Sequence, residues 1–318
     1  MAEATLPPAE VDLVFVCGAL RSGTTLLRLM INAHPGLTNP GEMDFLFEPP
    51  PVKSGRPDMA AYAHELSFNR VVKKLGLRLG ADLGYAEQVR DFIRQLRAPG
   101  KRLSINIHRN FERIPEIFPE ARYVRLLRDP RDVAKSSVAM GWAGNVYFGV
   151  DHWIASERAF ERLATRVEPE RIRQLRYEDL LRAPREELTA LCRFLGTTYD
   201  PEMLTYPSRT TYGAPDPKLI AQWRTELSPR EVGLVEGKLG AMLEERGYEP
   251  SMTPLVIPGP AGKAMLALGN RLGRWGFSVR RNGLGLTALD LIARRLPIPS
   301  LRDFARRRLG EKEAARLK

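Results

Sequence analysis

Apolar and polar positions along this chain fall into blocks of two periods. The first block, Val11-Asp12-Leu13-Val14-Phe15-Val16-Cys17, is almost wholly apolar and stops at Gly18, which predicts a strand. From Thr24 to His34 the apolar residues take helical spacing, so Gly18 to Gly23 is a tight connection between the two. Asn39-Pro40-Gly41-Glu42 predicts a turn, and the Pro/Gly-rich piece from Pro49 to Pro57 a surface loop. Helical spacing returns over about 59–97, where Phe92, Ile93 and Leu96 form one stripe. Arg102 to Ile107 predicts a second strand, Phe111 to Pro119 a short helix cut by prolines, and Tyr123 to Leu127 a third strand. That strand runs into Arg128-Asp129-Pro130-Arg131-Asp132 and then a helix. A helix over 151–166, a strand over 172–177 and a helix from Pro184 to Leu195, stopped by Gly196, continue the series. Ser228-Pro229 with Glu231 three residues after the serine has capping-box spacing and starts the last helix of the body.

Strands alternating with helices predict an α/β fold with a P-loop-type, mostly parallel β-sheet flanked by helices. At 318 residues, one domain over 1–250 with a basic helical extension over 251–318 is more natural than two equal domains. In that extension Met265, Leu268, Leu272, Trp275 and Val279 fall at a/d spacing with Lys263, Arg271 and Arg274 beside them, predicting a cationic amphipathic helix. Gly269, Gly273 and Gly276 weaken it, each by about 1 kcal/mol relative to alanine. Ser300-Leu301-Arg302-Asp303 starts a second short basic helix.

Charge follows the same division. The chain carries +11, and residues 261–318 hold 14 Lys+Arg against 4 Asp+Glu, so the body is close to neutral. The tail has no zinc-finger or RNA-recognition signature, and a nucleic-acid partner is not expected. Packing on the body, packing on a second subunit as a homodimer, and peripheral contact with an anionic membrane through 261–318 are its open uses. With 43% hydrophobic and 27% charged residues, the composition is that of a folded protein. Cys17 and Cys192 make neither a disulfide framework nor a zinc site and read as buried thiols of a reducing compartment. No basic-then-apolar leader opens the sequence and no run of 18 apolar residues occurs, so a cytoplasmic location is expected.

The connection after the first strand carries the candidate chemistry. Gly18-Ala19-Leu20-Arg21-Ser22-Gly23-Thr24-Thr25 has the spacing of the nucleotide P-loop, Gly-x4-Gly-Lys-[Ser/Thr], but Thr24 stands in the lysine slot. Backbone N–H groups and the positive end of a helix suit an anion there, and Arg21 supplies a cation from within the loop. This points to a 5′-phosphate cradle that does not handle a magnesium–ATP tail in the usual way. Arg128 and Ser136 suggest a second phosphate site. Arg128 ends a strand pattern and Ser136 lies early in the next helix, so both can reach one group outside the carboxyl edge of the sheet.

Together these pieces resemble the sulfotransferases that use 3′-phosphoadenosine-5′-phosphosulfate. Arg21-Ser22-Gly23-Thr24-Thr25 looks like the family's 5′-phosphosulfate loop, and Arg128 through Ser136 looks like its 3′-phosphate motif. Arg176-Tyr177-Glu178-Asp179-Leu180 is similar to a further element whose tyrosine lies near the adenine. Arg21 through Arg28, followed by Ala33-His34-Pro35 and Gly41-Glu42, looks most like the tyrosylprotein sulfotransferases and their bacterial relatives. The resemblance implies in-line sulfonyl transfer to a hydroxyl acceptor without a metal. The nucleotide would be held by Arg21, Ser22, Gly23, Thr24, Thr25, Arg128, Ser136 and Tyr177, with Arg21 also stabilising the departing phosphate oxygen.

Two residues compete as general base: Glu42, where the tyrosylprotein branch has its catalytic glutamate, and His108, where the cytosolic branch has a catalytic histidine. Asn106 stands where many relatives carry a lysine that assists the sulfonate, which leaves the charge to Arg21 or to another cation such as Lys218 or Arg109. The acceptor, whether small molecule, peptide or glycan, is not specified. Its pocket is expected from 44–100 and 205–217, with Phe45, Phe47, Tyr62 and Tyr212. The alternatives are a P-loop kinase or nucleotide-binding protein, against which Thr24 counts, and an inactive membrane-associated family member.

Overall fold

The computed structural model describes residues 13–316, so Val11 and Asp12 of the first predicted strand lie outside the described residues. Five strands build the main sheet: β1 (Leu13–Cys17), β2 (Leu37–Thr38), β3 (Arg102–Ile107), β4 (Arg122–Leu127) and β5 (Ile172–Arg176). Their spatial order is β2-β3-β1-β4-β5, and every neighbouring pair is parallel. Central position explains the unbroken apolar run of β1, whose five residues are all buried. Leu13, Phe15 and Cys17 point into one layer with Phe92, Ile105 and Tyr123, while Val14 and Val16 point into the other with Leu27, Met30 and Val124. Cys17 and Cys192 are both free and buried.

Helix α1 (Thr24–Ala33) follows β1 and contributes Leu27 and Met30 to one layer; α2 (Tyr85–Leu96) contributes Phe92 and Ile93 to the other. From β1 the chain moves to β2 and β3 on one side, then crosses to β4 and β5 on the other. The crevice at the carboxyl ends of β1 and β4 is therefore the topological switch point, where open parallel sheets take ligands. Into it run the connection from β1 to α1 and the connection from β4 to α3 (Pro130–Ala139). Further helices of the body include α4 (Asp151–Ala164), α5 (Tyr177–Arg182), α6 (Pro184–Phe194) and α7 (Pro229–Leu239). The capping box of α7 is present, with Ser228 Oγ accepting from Glu231 N and the Glu231 carboxylate accepting from Ser228 N at 2.9 Å.

Several elements differ from expectation. β2 was not predicted; two residues are too few for any hydrophobic period to register. The turn expected at 39–42 runs on beside β3: Asn106 N donates to the Gly41 carbonyl at 3.1 Å and Met43 N to the Asn106 carbonyl at 3.0 Å. Within the expected loop, Val52–Lys53 pairs with Arg56–Pro57 as a short exposed ribbon. Tyr177, assigned to the last strand, instead starts α5.

The tail forms α8 (Pro260–Asn282), α9 (Leu284–Arg295) and α10 (Pro299–Arg316). Its glycines do not interrupt α8, because Gly273 is a packing position: a Cβ there would lie 2.7 Å from Gly144 Cα. α10 returns to the body, where Arg306 pairs with Glu65 at 2.9 Å and Asp303 with His64 at 3.2 Å. Among the described residues no helix is long and apolar enough to cross a membrane.

Candidate active site

The loop from β1 to α1 takes its shape from two glycines and one left-handed arginine. A Cβ at Gly18 would lie 2.4 Å from the Leu126 carbonyl oxygen, so only glycine lets the loop leave β1 this close to β4. Gly23 has φ +96 and lies under the Tyr177 ring, which a Cβ would meet at 2.3 Å. Arg21 takes φ +74, a conformation that costs on the order of 1–3 kcal/mol outside glycine and is held here by hydrogen bonds.

α1 starts without a side-chain cap, since Gly23 is its N-cap, and no acidic residue occupies its first turn. Its first intrahelical bond runs from Leu27 N to Gly23 O at 3.1 Å, so the N–H groups of Thr24, Thr25 and Leu26 precede the ladder. Those donors and the positive end of the helix dipole are the groups that suit an anion.

The two segments expected to bind phosphate converge on this point. Arg21 Nε donates to Ser136 Oγ at 2.8 Å, and Arg128 Nη1 donates to the Arg21 carbonyl at 2.9 Å. The Arg128 guanidinium lies 4.3 Å from the centre of the Tyr177 ring. Two further bonds hold the crevice from α4: Trp153 Nε1 donates to the Arg128 carbonyl at 3.0 Å, and His152 Nε2 donates to the Leu20 carbonyl at 3.2 Å. Burial pushes the His152 pKa down, aided by His108 and Arg21 nearby, and this outweighs the upward effects of its bond to Leu20 and of the Asp151 charge.

Behind the loop lies a row of buried polar groups. The Thr24 hydroxyl is 3.1 Å from His108 Nε2, His108 Nδ1 is 3.1 Å from Asp44 Oδ2, and the His108 backbone N–H donates to Asp44 Oδ1 at 2.6 Å. Burial raises the Asp44 pKa, but the hydrogen bonds and charge of His108 outweigh it and leave the carboxyl below its ordinary value. Asn106 Nδ2 donates to the Thr24 carbonyl at 3.1 Å, and its Oδ1 accepts from Asn39 at 2.9 Å.

In front of the loop is a cavity of about 340 Å³. Arg21, Gly23, Thr24, Thr25, Arg128 and Tyr177 line it on the motif side, Glu42 stands at its edge, and Trp142, Tyr212 and Leu219 form the outer wall. A larger groove of about 1090 Å³ lies between the Arg70–Leu75 helix and the tail but contains none of these groups. The smaller cavity is the candidate site because it joins the uncapped helix end to Arg21 and Arg128.

Residues 13–201 match the model of the sulfotransferase family, more than half of the chain. The chain belongs to this family. Nodulation protein NoeE of Sinorhizobium fredii (strain NBRC 101917 / NGR234) is 27% identical over 86% of this chain and 75% of its own length. The sulfotransferase domain of the Synechococcus PCC 7002 olefin synthase is 25% identical, with a TM-score of 0.56 over 70% of this chain and 93% of that one. The sulfotransferase domain from the curacin biosynthetic pathway shares the fold at 21% identity, with a TM-score of 0.56 over 75% of this chain and 98% of that one.

The residues expected at the site are not all placed alike. Arg21, Gly23, Thr24, Thr25, Arg128, Tyr177 and Glu42 line the cavity, and Ser136 joins them through Arg21. Ser22 points inward: it is fully buried, with its hydroxyl unpartnered among the described residues. His108 and Asn106 are buried behind the loop and do not line the cavity. Lys218 is exposed and outside the lining, and Arg109 is paired with Glu48, so Arg21 and Arg128 are the lining cations among the described residues.

Phe45, Phe47 and Tyr62, expected in the acceptor pocket, lie in the core. Phe47 packs edge-on against Phe15 at 5.5 Å; an aromatic side chain suits a core as well as a pocket, and position in the sheet layer decides between them. Tyr212 does line the cavity. Trp142, which sequence reasoning missed, lines it too and lies 5.9 Å from the Arg21 guanidinium; its available signal was the Gly141-Trp142-Ala143-Gly144 turn just after the motif helix.

A second miss is Arg131. Almost fully buried, it makes two side-chain bonds to Asp129, reaches Glu236 at 2.7 Å and stacks on Trp223 at 3.8 Å. Trp223 in turn donates through Nε1 to Asp129 at 3.0 Å and through its backbone N–H to Asp132 at 2.8 Å. This network fixes the start of α3, and with it Arg128 and Ser136.

Proposed function

We propose that this sulfotransferase transfers the sulfonyl group of 3′-phosphoadenosine-5′-phosphosulfate to an acceptor hydroxyl by in-line displacement. The observation that carries the reading is the single cavity joining the uncapped start of α1, Arg21, Arg128 and Glu42. That donor set fits a nucleotide with anionic groups at two positions, because guanidinium groups and backbone N–H groups are the strong partners of phosphate oxygens. When bound, the donor supplies a sulfonate carried on a phosphate leaving group. Arg21 and the first N–H groups of α1 then face the oxygen on which charge grows, already oriented by Ser136 and Arg128. Arg128 and Ser136 take the 3′-phosphate, and Tyr177 packs near the base.

Glu42 accepts the proton of the incoming hydroxyl. Its pairing beside Asn106 sets it at the carboxyl edge of the sheet, where position rather than burial makes it useful. His108 acts through Thr24 and keeps the loop in place. This assignment retains the likeness of the motif to the tyrosylprotein branch. Trp142, Tyr212 and Leu219 support an acceptor with an apolar or aromatic part, a description that admits peptides, glycans and small molecules. Residues 1–250 form the transferring unit in this reading, and 251–318 an appended one.

Calorimetry with adenosine-3′,5′-bisphosphate and AMP tests the donor assignment. The bisphosphate is expected to bind at least about tenfold more tightly, or ~1.4 kcal/mol. Equal affinities would sink it.

A further inference from the structure

The tail carries an apolar face that nothing in the described chain covers. Met265, Leu268, Leu272 and Trp275 share one side of α8 and are 71%, 58%, 59% and 49% exposed. The opposite side of the same helix is fixed to the body. Gly144 N donates to Asn270 Oδ1 at 2.7 Å, Asn145 Nδ2 donates to the Leu266 carbonyl at 2.8 Å, and Gly273 packs on Gly144. Held this way, α8 cannot roll inward to hide the stripe. Leu255 and Ile257, in the segment leading into the helix, are also exposed.

Charge distinguishes among the occupants this face could take. Residues 250–289 contain five Lys/Arg and no Asp or Glu. At helical spacing Arg271 and Arg274 fall on the flank between the apolar stripe and the body-facing side. Of the five, Arg281 is paired with Glu313 at 3.5 Å, so Lys263, Arg271, Arg274 and Arg280 carry the excess; a second copy of the chain would bring two such cationic helices together, which like-charge repulsion opposes. An anionic lipid surface complements the arginines and accepts the apolar stripe at the same time.

We propose that α8 docks on an anionic bilayer, lying in the plane of the headgroups with Met265, Leu268, Leu272 and Trp275 inserted. α8 also braces 141–145, the segment that carries Trp142 to the cavity wall, so docking and the acceptor side of the site share one support.

Sedimentation of the full chain with vesicles of phosphatidylcholine alone, and of phosphatidylcholine mixed with phosphatidylglycerol, tests this at low and high salt. Association with the anionic vesicles is expected to exceed that with the zwitterionic ones by about tenfold or more and to weaken with salt. The double variant Leu268→Glu/Leu272→Glu should abolish it while keeping the wild-type circular dichroism and melting curve, since both side chains already face solvent. Should that variant melt early, Arg271→Gln/Arg274→Gln carries the test, with weaker binding to anionic vesicles only. Wild-type binding in either variant, or no association with anionic vesicles, overturns the proposal. So does a dimer in light scattering that the glutamate variant dissociates while vesicles bind neither protein.

Discussion

Arg21 Nε donates to the hydroxyl of Ser136 at 2.8 Å, joining two motifs that lie 115 positions apart in the sequence. Accepting from Arg21 leaves the serine hydrogen free to donate to an anion, so one bond both orients the guanidinium and points the hydroxyl. Arg128 closes the unit through the Arg21 carbonyl. The loop after β1 and the segment from Arg128 to Ser136 are thus one hydrogen-bonded assembly rather than two separate ones.

Removing either charged member of this unit should be costly. Arg21→Ala is expected to lower turnover by on the order of 10²–10³, the effect of losing one preorganised donor. Ser136→Ala should weaken adenosine-3′,5′-bisphosphate by roughly tenfold to a hundredfold, as for one hydrogen bond to a charged group. Steady-state kinetics and calorimetry on the two variants check this, and unchanged turnover in Arg21→Ala would remove Arg21 from the reaction.

The two candidate bases separate by where they sit. Glu42→Gln should lower turnover by about 10²–10⁴ while nucleotide affinity holds, as for loss of a general base. His108→Gln should instead lower turnover and nucleotide affinity together through Thr24, with the shape of the pH–rate profile kept. A His108 variant that binds nucleotide normally yet loses one limb of that profile would transfer the role of base to the histidine.

Arg131 predicts a stability effect away from the chemistry. Its ion pairs with Asp129 and Glu236 are buried, and removing the cation leaves two carboxylates uncompensated. Arg131→Met is expected to destabilise the fold by about 3–5 kcal/mol in urea or thermal unfolding. A loss below about 1 kcal/mol would show that solvent already screens the cluster.

His152 predicts a pH dependence. Its lowered pKa means that the unfolded chain binds this proton more readily than the native one. The contribution to stability is therefore full above the ordinary histidine value near ~6.5 and is lost as pH falls through the lowered native value. The difference in melting temperature between wild type and His152→Gln should accordingly shrink from pH 8 toward pH 5. A difference that stays constant over that range contradicts the burial of a neutral imidazole against Leu20.

Local chemistry made part of this protein legible in its sequence. β1 and α1 follow from a run of buried residues, a glycine turn and a helical period, and the Arg102–Ile107 strand and the Ser228 capping box are likewise short-range patterns. The same holds for the tight connection from Gly18 to Gly23, whose residues are neighbours in sequence. Tertiary structure decided everything that depends on strand order and on which face of an element meets the body. Placing β4 beside β1 brought Ser136 to Arg21, and the pairing of Glu42 with Asn106 set that carboxylate at the cavity while His108 turned behind the loop. Spacing foretold the apolar stripe of α8, but only the close approach of Gly273 to Gly144 fixed it outward. A sequence period names the two faces of a helix; packing against the rest of the chain chooses between them.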